Sequence, residues 1–333
     1  MASRRLIKIS FPIISIIGLY FLGPAPKNPE YNKHLPVVPA EASALEAYVA
    51  EEEAKHEVKP GNEATIIWND STKQRTEYAI VYLHGFSASH VEGSPTHRRL
   101  AETFGCNLYL PRISDHGIDT TEALLYFTAD RAWQSATEAL AIGKRLGNKV
   151  ILLSTSTGGT LALKLAAEFP EDVHALISLS PNIAINDPAS FLLNNPWGLY
   201  IARAVLGGKY NITDASEEHS RFWNKKYRIE ALTELQQLIE TTMTDDLFRR
   251  VKQPSLTLYY YKNEEEQDPQ VKVSAMLEMN EALGTPEDLK VAQAIPTAGA
   301  HVIGSSLTSK DIESVYQSME KFAIEKLNMT KLQ

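Results

Sequence analysis

Cysteine is almost missing from this sequence: Cys106 is the only one in 333 residues. A lone cysteine excludes any intramolecular disulfide. It opens the apolar run Cys106 to Leu110, the setting of a buried structural thiol. Long basic runs are missing too. Lysine and arginine number 33 against 41 aspartates and glutamates, a formal net charge of −8. Binding to phosphate backbones needs a clustered basic face, so a nucleic-acid partner is not expected. No H-E-x-x-H segment occurs, and His84, His90 and His97 are too far apart to share one helical face. Metal-dependent hydrolysis therefore has no evident ligand set, and the chain calls for no metal or cofactor. There is no internal repeat.

The most apolar stretch, Ile9 to Leu22, falls just short of a comfortable membrane span. Arg4, Arg5 and Lys8 precede it. Residues 1–23 are favoured as an uncleaved signal anchor; a cleaved signal peptide and a buried or amphipathic helix are the alternatives. Pro24 and Pro26 flank Ala25 and disfavour processing there. The positive charges would hold the N-terminus in the cytoplasm, so the domain that follows would be membrane-anchored or exported, on the non-cytoplasmic side.

Residues 24–57 read as a proline- and asparagine-rich linker followed by an acidic, alanine-rich helix over Glu41 to His56. Beyond them, short apolar runs alternate with helical patterns, which predicts an α/β fold with a mostly parallel sheet. Strands are expected over residues 64–68, 78–83, 107–111, 149–154, 175–179, 255–261 and 291–295. Helices are expected over 129–146, 158–168, 273–283 and 309–327. Some seventy residues after Leu179 break this rhythm, and a structureless loop of that length is improbable in a compact domain. Residues 182–252 are therefore expected to form an inserted helical cap between two core segments, 58–181 and 253–333. The aromatics of this stretch, Trp197, Tyr200, Phe222, Trp223 and Tyr227, either form the cap's own core or line an acyl pocket.

The segment Ser154-Thr155-Ser156-Thr157-Gly158 follows an apolar strand and opens a helix. A sharp strand-to-helix turn lifts a hydroxyl clear of the sheet, and its backbone passes so close that small residues are needed two positions to either side. Ser154 and Gly158 satisfy this for Ser156. The corresponding neighbours of Ser154 include Leu152, and a β-branched Thr157 would resist the positive φ such a turn demands. Upstream, the strand Tyr78–Leu83 runs into His84-Gly85-Phe86, and Pro111-Arg112-Ile113-Ser114-Asp115-His116-Gly117 follows the next strand.

Together these segments resemble the α/β-hydrolase superfamily, and most closely carboxylesterases and monoacylglycerol-lipase-like enzymes. The resemblance spans residues 60 to 330. It implies the family's nucleophile elbow, written G-x-S-x-G, with Ser154 in place of the first glycine. It also implies an oxyanion hole formed by the backbone N–H groups of Phe86 and Thr157. Pro111 to Gly117 is similar to an L-P-G-H-G segment, with Asp115 in the glycine's place and His116 as a loop-shaping residue; His84 is likewise taken as structural.

Triads of this family run Ser, acid, His along the chain. After Ser156 only His174, His219 and His301 remain. His174 abuts a strand with no acid-bearing loop before it, and His219 lies inside the expected cap. His301 follows the last strand among small residues and is expected to be the base. Asp268, in a D-x-x-V segment after the strand at 255–261, is expected to be the acid, while Glu264, Glu265 and Glu266 read as a solvated charge run.

The resemblance implies a serine hydrolase acting on a small-molecule ester or acyl substrate through an acyl-enzyme. A peptidase or thioesterase on the same fold remains open, because a triad fixes the mechanism and not the leaving group. From another class, a non-catalytic, membrane-tethered binding protein on a dead hydrolase fold is the rival.

Overall fold

A computed structural model describes residues 18–214 and 216–332 of the chain. Its main sheet contains β1 (Thr65–Ile67), β2 (Thr76–Leu83), β3 (Asn107–Leu110), β4 (Gly147–Thr155), β5 (Ala175–Leu179), β8 (Ser255–Tyr259) and β9 (Lys290–Ala294). Their spatial order is β1-β3-β2-β4-β5-β8-β9. Only β1 runs antiparallel to its neighbour; the other pairs are parallel. All seven expected strands are in this sheet, with ends that coincide or differ by at most two residues.

The strands read as unbroken apolar runs because both faces of the sheet are covered. Along β2, Ala79, Val81 and Leu83 enter one buried cluster while Ile80 and Tyr82 enter the other. Val150 and Leu152 of β4 likewise separate from Ile151 and Leu153. Burying each valine, leucine or isoleucine among them contributes about 1.5–3 kcal/mol.

The first cluster lies under α3 (Ala129–Leu146), α4 (Thr157–Glu168) and α9 (Val273–Ala282). The second lies under α2 (Thr96–Phe104) and α10 (Ile312–Glu325). The sequence pattern did not indicate α2, whose nine residues are mostly polar or charged. Leu100, Ala101 and Phe104 form its buried face against α10, and Gly105 ends it at φ +63°.

Residues 24–39, expected as a linker, lie against the core. Trp133 donates its indole N–H to the Asn32 carbonyl at 2.7 Å, Tyr31 and Thr241 share a hydroxyl hydrogen bond at 2.6 Å, and Val38 is buried. The acidic helix α1 (Ala42–Glu53) follows, held by Leu45, Val49 and an ion pair of Glu53 with Arg112 at 2.9 Å.

Between β5 and β8 the chain forms α5 (Gly198–Val205), a hairpin of β6 (Tyr210–Ile212) and β7 (Lys226–Arg228) enclosing α6 (Glu217–Phe222), then α7 (Glu230–Thr242) and α8 (Asp245–Arg250). Leu238, Ile239, Leu247 and Phe248 of α7 and α8 join the core cluster beneath α3 and α4. The second half of this stretch is thus part of the main core, and the segment around the hairpin overhangs the carboxyl edge of the sheet.

Most of the expected signal anchor, residues 1–17, lies outside the described residues. Among those described, no helix is long and apolar enough to cross a membrane.

Candidate active site

Parallel pairing puts the carboxyl ends of β2, β4, β5, β8 and β9 along one edge. Leu83 pairs with Ser154, Thr155 with Leu179, and Tyr259 with Ala294. His84, Ser156, Asp268 and His301 all follow these ends in the chain.

Ser156 is the single residue between β4 and α4, with φ +52° and ψ −119°. A left-handed conformation at a non-glycine residue costs of order 1–3 kcal/mol and persists only where its surroundings dictate it. They do so here: its N–H donates to the Leu179 carbonyl at 3.1 Å, and its carbonyl accepts from Gly159 N–H at 2.8 Å and Asn182 N–H at 2.9 Å. A Cβ at Gly158 would stand 1.9 Å from the Leu83 carbonyl oxygen, so the turn closes only with glycine there. Ser154, where the family pattern has glycine, is wholly buried with its Oγ 3.4 Å from Ser178 Oγ, a space between β4 and β5 that accepts a small side chain.

The His84-Gly85-Phe86 turn presses against this elbow. A Cβ at Gly85 would be 2.9 Å from Ser156 Cβ. Among the described residues, neither the Phe86 nor the Thr157 backbone N–H donates to another protein group, and both residues line the cavity that Ser156 faces. His84 holds the neighbouring loop: its Nε2 accepts from Ile113 N–H at 3.0 Å, and burial drives its imidazole well below the usual pKa. His116 is buried beside it, with its pKa lowered to about 4 chiefly by burial. Asp115 has φ +63°, the conformation for which the family's glycine would be suited.

His301 and Asp268 meet across the edge. The His301 Nδ1 proton is assigned to a hydrogen bond with Asp268 Oδ2 at 2.7 Å. Asp268 has no exposed surface, and its other oxygen accepts from the N–H groups of Gln270 at 2.9 Å and Val271 at 3.1 Å. These bonds fix the carboxylate, which in turn fixes the imidazole and leaves Nε2 for the cavity. Burial lowers the His301 pKa, but the charge and hydrogen bond of Asp268, with the charge of Glu92, outweigh it and raise the value above the ordinary one. Every other histidine whose ionisation is displaced is shifted downward. Glu264, Glu265 and Glu266 are exposed on the loop before Asp268.

Ser156 and His301 line one cavity of about 510 Å³, although Ser156 Oγ and the imidazole are not hydrogen-bonded to each other. Its apolar wall includes Ile185, Leu232, Leu235 and Val302. Trp223 and Tyr227 from the overhanging segment also line it, whereas Trp197 and Tyr200 are exposed outside. The question left open for these aromatics thus divides by residue. Thr157 Oγ1, Asn182 Oδ1 and His219 Nδ1 belong to lining residues and are buried without a partner among the described residues. His219 is stacked on Trp223 at 4.1 Å. No group of three or more potential metal ligands occurs among the described residues.

Sequence reasoning did not reach Asn182 or Glu92, and it weighed His219 only as a base, not as a residue of the cavity wall. For Glu92 the signal was faint: one carboxylate among uncharged residues shortly after the His-Gly turn. The cavity brings all three to the proposed nucleophile.

No family model and no curated protein matches the chain. Solved structures do. Over 80 % of this chain and 98 % of the other, a metagenome-derived lipolytic enzyme superposes with a TM-score of 0.64 at 18 % identity. The monoacylglycerol lipase of Paleococcus ferrophilus superposes over 79 % of this chain and 98 % of its own, with a TM-score of 0.57 at 14 % identity. Est1E from Butyrivibrio proteoclasticus, in a structure with ferulic acid bound, does so over 82 % and 99 %, with a TM-score of 0.51 at 17 % identity. The chain has the α/β-hydrolase fold. Within that fold the elbow after β4 and the loops after β8 and β9 are the positions that carry Ser156, Asp268 and His301.

Proposed function

We propose that this protein is a serine hydrolase that cleaves carboxylic esters through an acyl-enzyme, with Ser156 as nucleophile, His301 as base and Asp268 as the acid behind it. The observation that carries this reading is the strained Ser156 backbone facing the same cavity as an imidazole whose other nitrogen is bound by a buried carboxylate. Strain of this kind is retained where a side chain must be presented.

In the reaction, His301 Nε2 takes the Ser156 proton as Oγ attacks the ester carbonyl. The tetrahedral oxyanion lies against the N–H groups of Phe86 and Thr157, each worth about 3–4 kcal/mol of transition-state stabilisation. Collapse expels the alkoxide, which receives the proton from His301 and leaves as alcohol. Water then repeats the attack with the same base and frees the acid. Asp268 keeps the imidazole in the productive tautomer and stabilises the imidazolium.

A cavity of about 510 Å³ with apolar walls suits an acyl group. The unpartnered polar atoms of Thr157, Asn182 and His219 favour a substrate that also carries polar groups. Likeness in fold to lipolytic enzymes and to Est1E agrees with an ester substrate.

The reading extends to membrane association. Residues 19–22 present exposed Leu19, Tyr20, Phe21 and Leu22, and this segment is bound to the overhang: the Trp197 N–H donates to the Pro24 carbonyl at 2.9 Å. Beside it, α5 exposes Tyr200, Ile201 and Val205, with Leu206 just beyond. Contiguous apolar surface next to an apolar terminal sequence is suited to a lipid boundary.

The test is hydrolysis of p-nitrophenyl esters from acetyl to palmitoyl by residues 28–333, beside Ser156→Ala. Turnover at some chain length that the variant loses is the expected result. Full activity in the variant removes Ser156 from the mechanism. If neither protein cleaves any ester, amides and thioesters come next, and a failure of fluorophosphonate labelling would favour the non-catalytic binding protein.

A further inference from the structure

One buried carboxylate at the cavity has no task in this reaction. Glu92 lies on the short turn His90–Gly93 with 2 % of its surface exposed, yet it lines the cavity with Ser156 and His301. Among the described residues no lysine or arginine is paired with it. Its Oε2 accepts the Gly85 N–H, so it grips the residue immediately before the Phe86 donor. Tyr82, from β2, approaches the same oxygen with its hydroxyl at 3.4 Å and is itself hydrogen-bonded to Thr155 at the end of β4. A Cβ at Gly85 would touch Glu92 Oε1 at 2.8 Å and Ser156 Cβ at 2.9 Å, so glycine alone lets carboxylate and nucleophile share that corner.

The turn is tied just as firmly to the loop that carries the base. Ser305 Oγ donates to the Val91 carbonyl at 3.2 Å, Thr96 Oγ1 to the Gly304 carbonyl at 3.0 Å, and Ser306 N–H to the Ser94 carbonyl at 2.9 Å. A residue needed only to fill space would not be an acid: burying a lone carboxylate costs several kcal/mol unless something nearby benefits from it. The groups that benefit here are the Gly85 N–H and the imidazolium that His301 becomes during each turnover.

Resting on the reading above, we infer that Glu92 is a second acidic partner of His301. It is a positioning residue that holds the oxyanion loop through Gly85 and sets the charge balance of the imidazole from outside the Ser–His–Asp array. Titratable neighbours from each packed element are few. Tyr82 on β2 is pushed far upward by burial, and the Glu92 charge adds to this. His90 on the same turn and His97 on α2 are lowered by burial to about 4 and about 3. Across the cavity, Glu92 and His301, the latter held by Asp268, face each other as an acid and a base whose charges act on one another. Burial raises Glu92 to about 7, opposed by the Gly85 N–H, the His301 charge and the Tyr82 hydroxyl.

Two groups coupled in this way titrate as a unit. The experiment follows the His301 ring signals by NMR against pH in the intact protein, assigned by their loss in His301→Asn, and repeats the titration in Glu92→Gln. The wild-type imidazole should shift in two steps. In Glu92→Gln it should shift in one, with its midpoint lower by at least about half a pH unit. The acid limb of kcat/KM should move the same way, with kcat reduced on the order of threefold to tenfold and KM within about twofold, as expected of a group that acts on the base and not on substrate binding. An unchanged midpoint in Glu92→Gln overturns the inference. So does a single-step wild-type titration, which decides the matter even if the variant does not fold. Because the NMR arm needs no substrate, an enzyme that cleaves no ester would sink the esterase reading and still leave this one to stand or fall by itself.

Discussion

The imidazole of His301 and the carboxylate of Asp268 are 2.7 Å apart, though 33 residues of chain separate them. One helix and one strand, α9 and β9, fill that interval and return the chain to the edge it left. The pairing is therefore a product of sheet topology. Asp268 can hold it because its second oxygen is already committed to two backbone N–H groups.

Replacing Asp268 by Asn should leave the fold intact and lower kcat by roughly four orders of magnitude, because an amide can donate where the carboxylate accepts and so favour the wrong tautomer. Steady-state kinetics beside circular dichroism is the check. A loss of less than about tenfold would assign the acid's task elsewhere.

Gly158→Ala is expected to destabilise the protein. The added methyl would stand 1.9 Å from the Leu83 carbonyl oxygen, and neither β2 nor α4 can retreat without disturbing the core. Overpacking of this severity costs about 1–3 kcal/mol or more, readable as a lower midpoint in urea with little change in slope. An unaltered midpoint would mean that the elbow is looser than its contacts imply.

Stability should depend on pH through Glu92. Its value in the folded protein is raised from 4.5 to about 7 by burial. The group's contribution is therefore fully present below about 4.5 and is lost as pH rises through about 7. Glutamine does not ionise and should escape that loss. Relative to wild type, Glu92→Gln should gain up to about 3 kcal/mol between pH 5 and pH 8, followed by denaturation at each pH. A stability difference independent of pH would show that Glu92 is already ionised in the folded protein across this range.

Membrane association should be visible in vesicle flotation. The full chain is expected to float with vesicles of mixed zwitterionic and anionic lipid, and residues 28–333 to remain below. Val205→Asp with Leu206→Asp should weaken flotation of the full chain while leaving ester hydrolysis unchanged. A full chain that never floats would remove the membrane from the account.

The positions of the strands along the chain, and Ser156 as a candidate, were legible because each depends on local pattern; Asp268 and His301 were reached only through the chain order that the family resemblance implies. Strands covered on both faces are written as short apolar runs, and Ser156 was singled out by its small neighbours Ser154 and Gly158. Other features were not legible. Helix α2 has few apolar residues and exists because α10 covers it. Residues 24–39 have a linker's composition, yet Asn32 and Val38 find partners on the core. The aromatics of the overhang look alike in sequence, but only the folded segment decides that Trp223 and Tyr227 face the cavity while Trp197 and Tyr200 face outward.

By itself the sequence determined an α/β chain with a small-residue turn after a buried strand, an acid and a histidine in order after it, and no cysteine pair or long basic run. Tertiary structure alone decided which groups meet: that Asp268 is stripped of solvent and reaches His301, that neither Phe86 nor Thr157 N–H is engaged by another described residue, and that Glu92 enters the same corner as Ser156. The reason is physical. Local pattern fixes each residue's backbone and which side it faces, whereas charge, desolvation and hydrogen-bond partnership are properties of what the rest of the chain brings alongside.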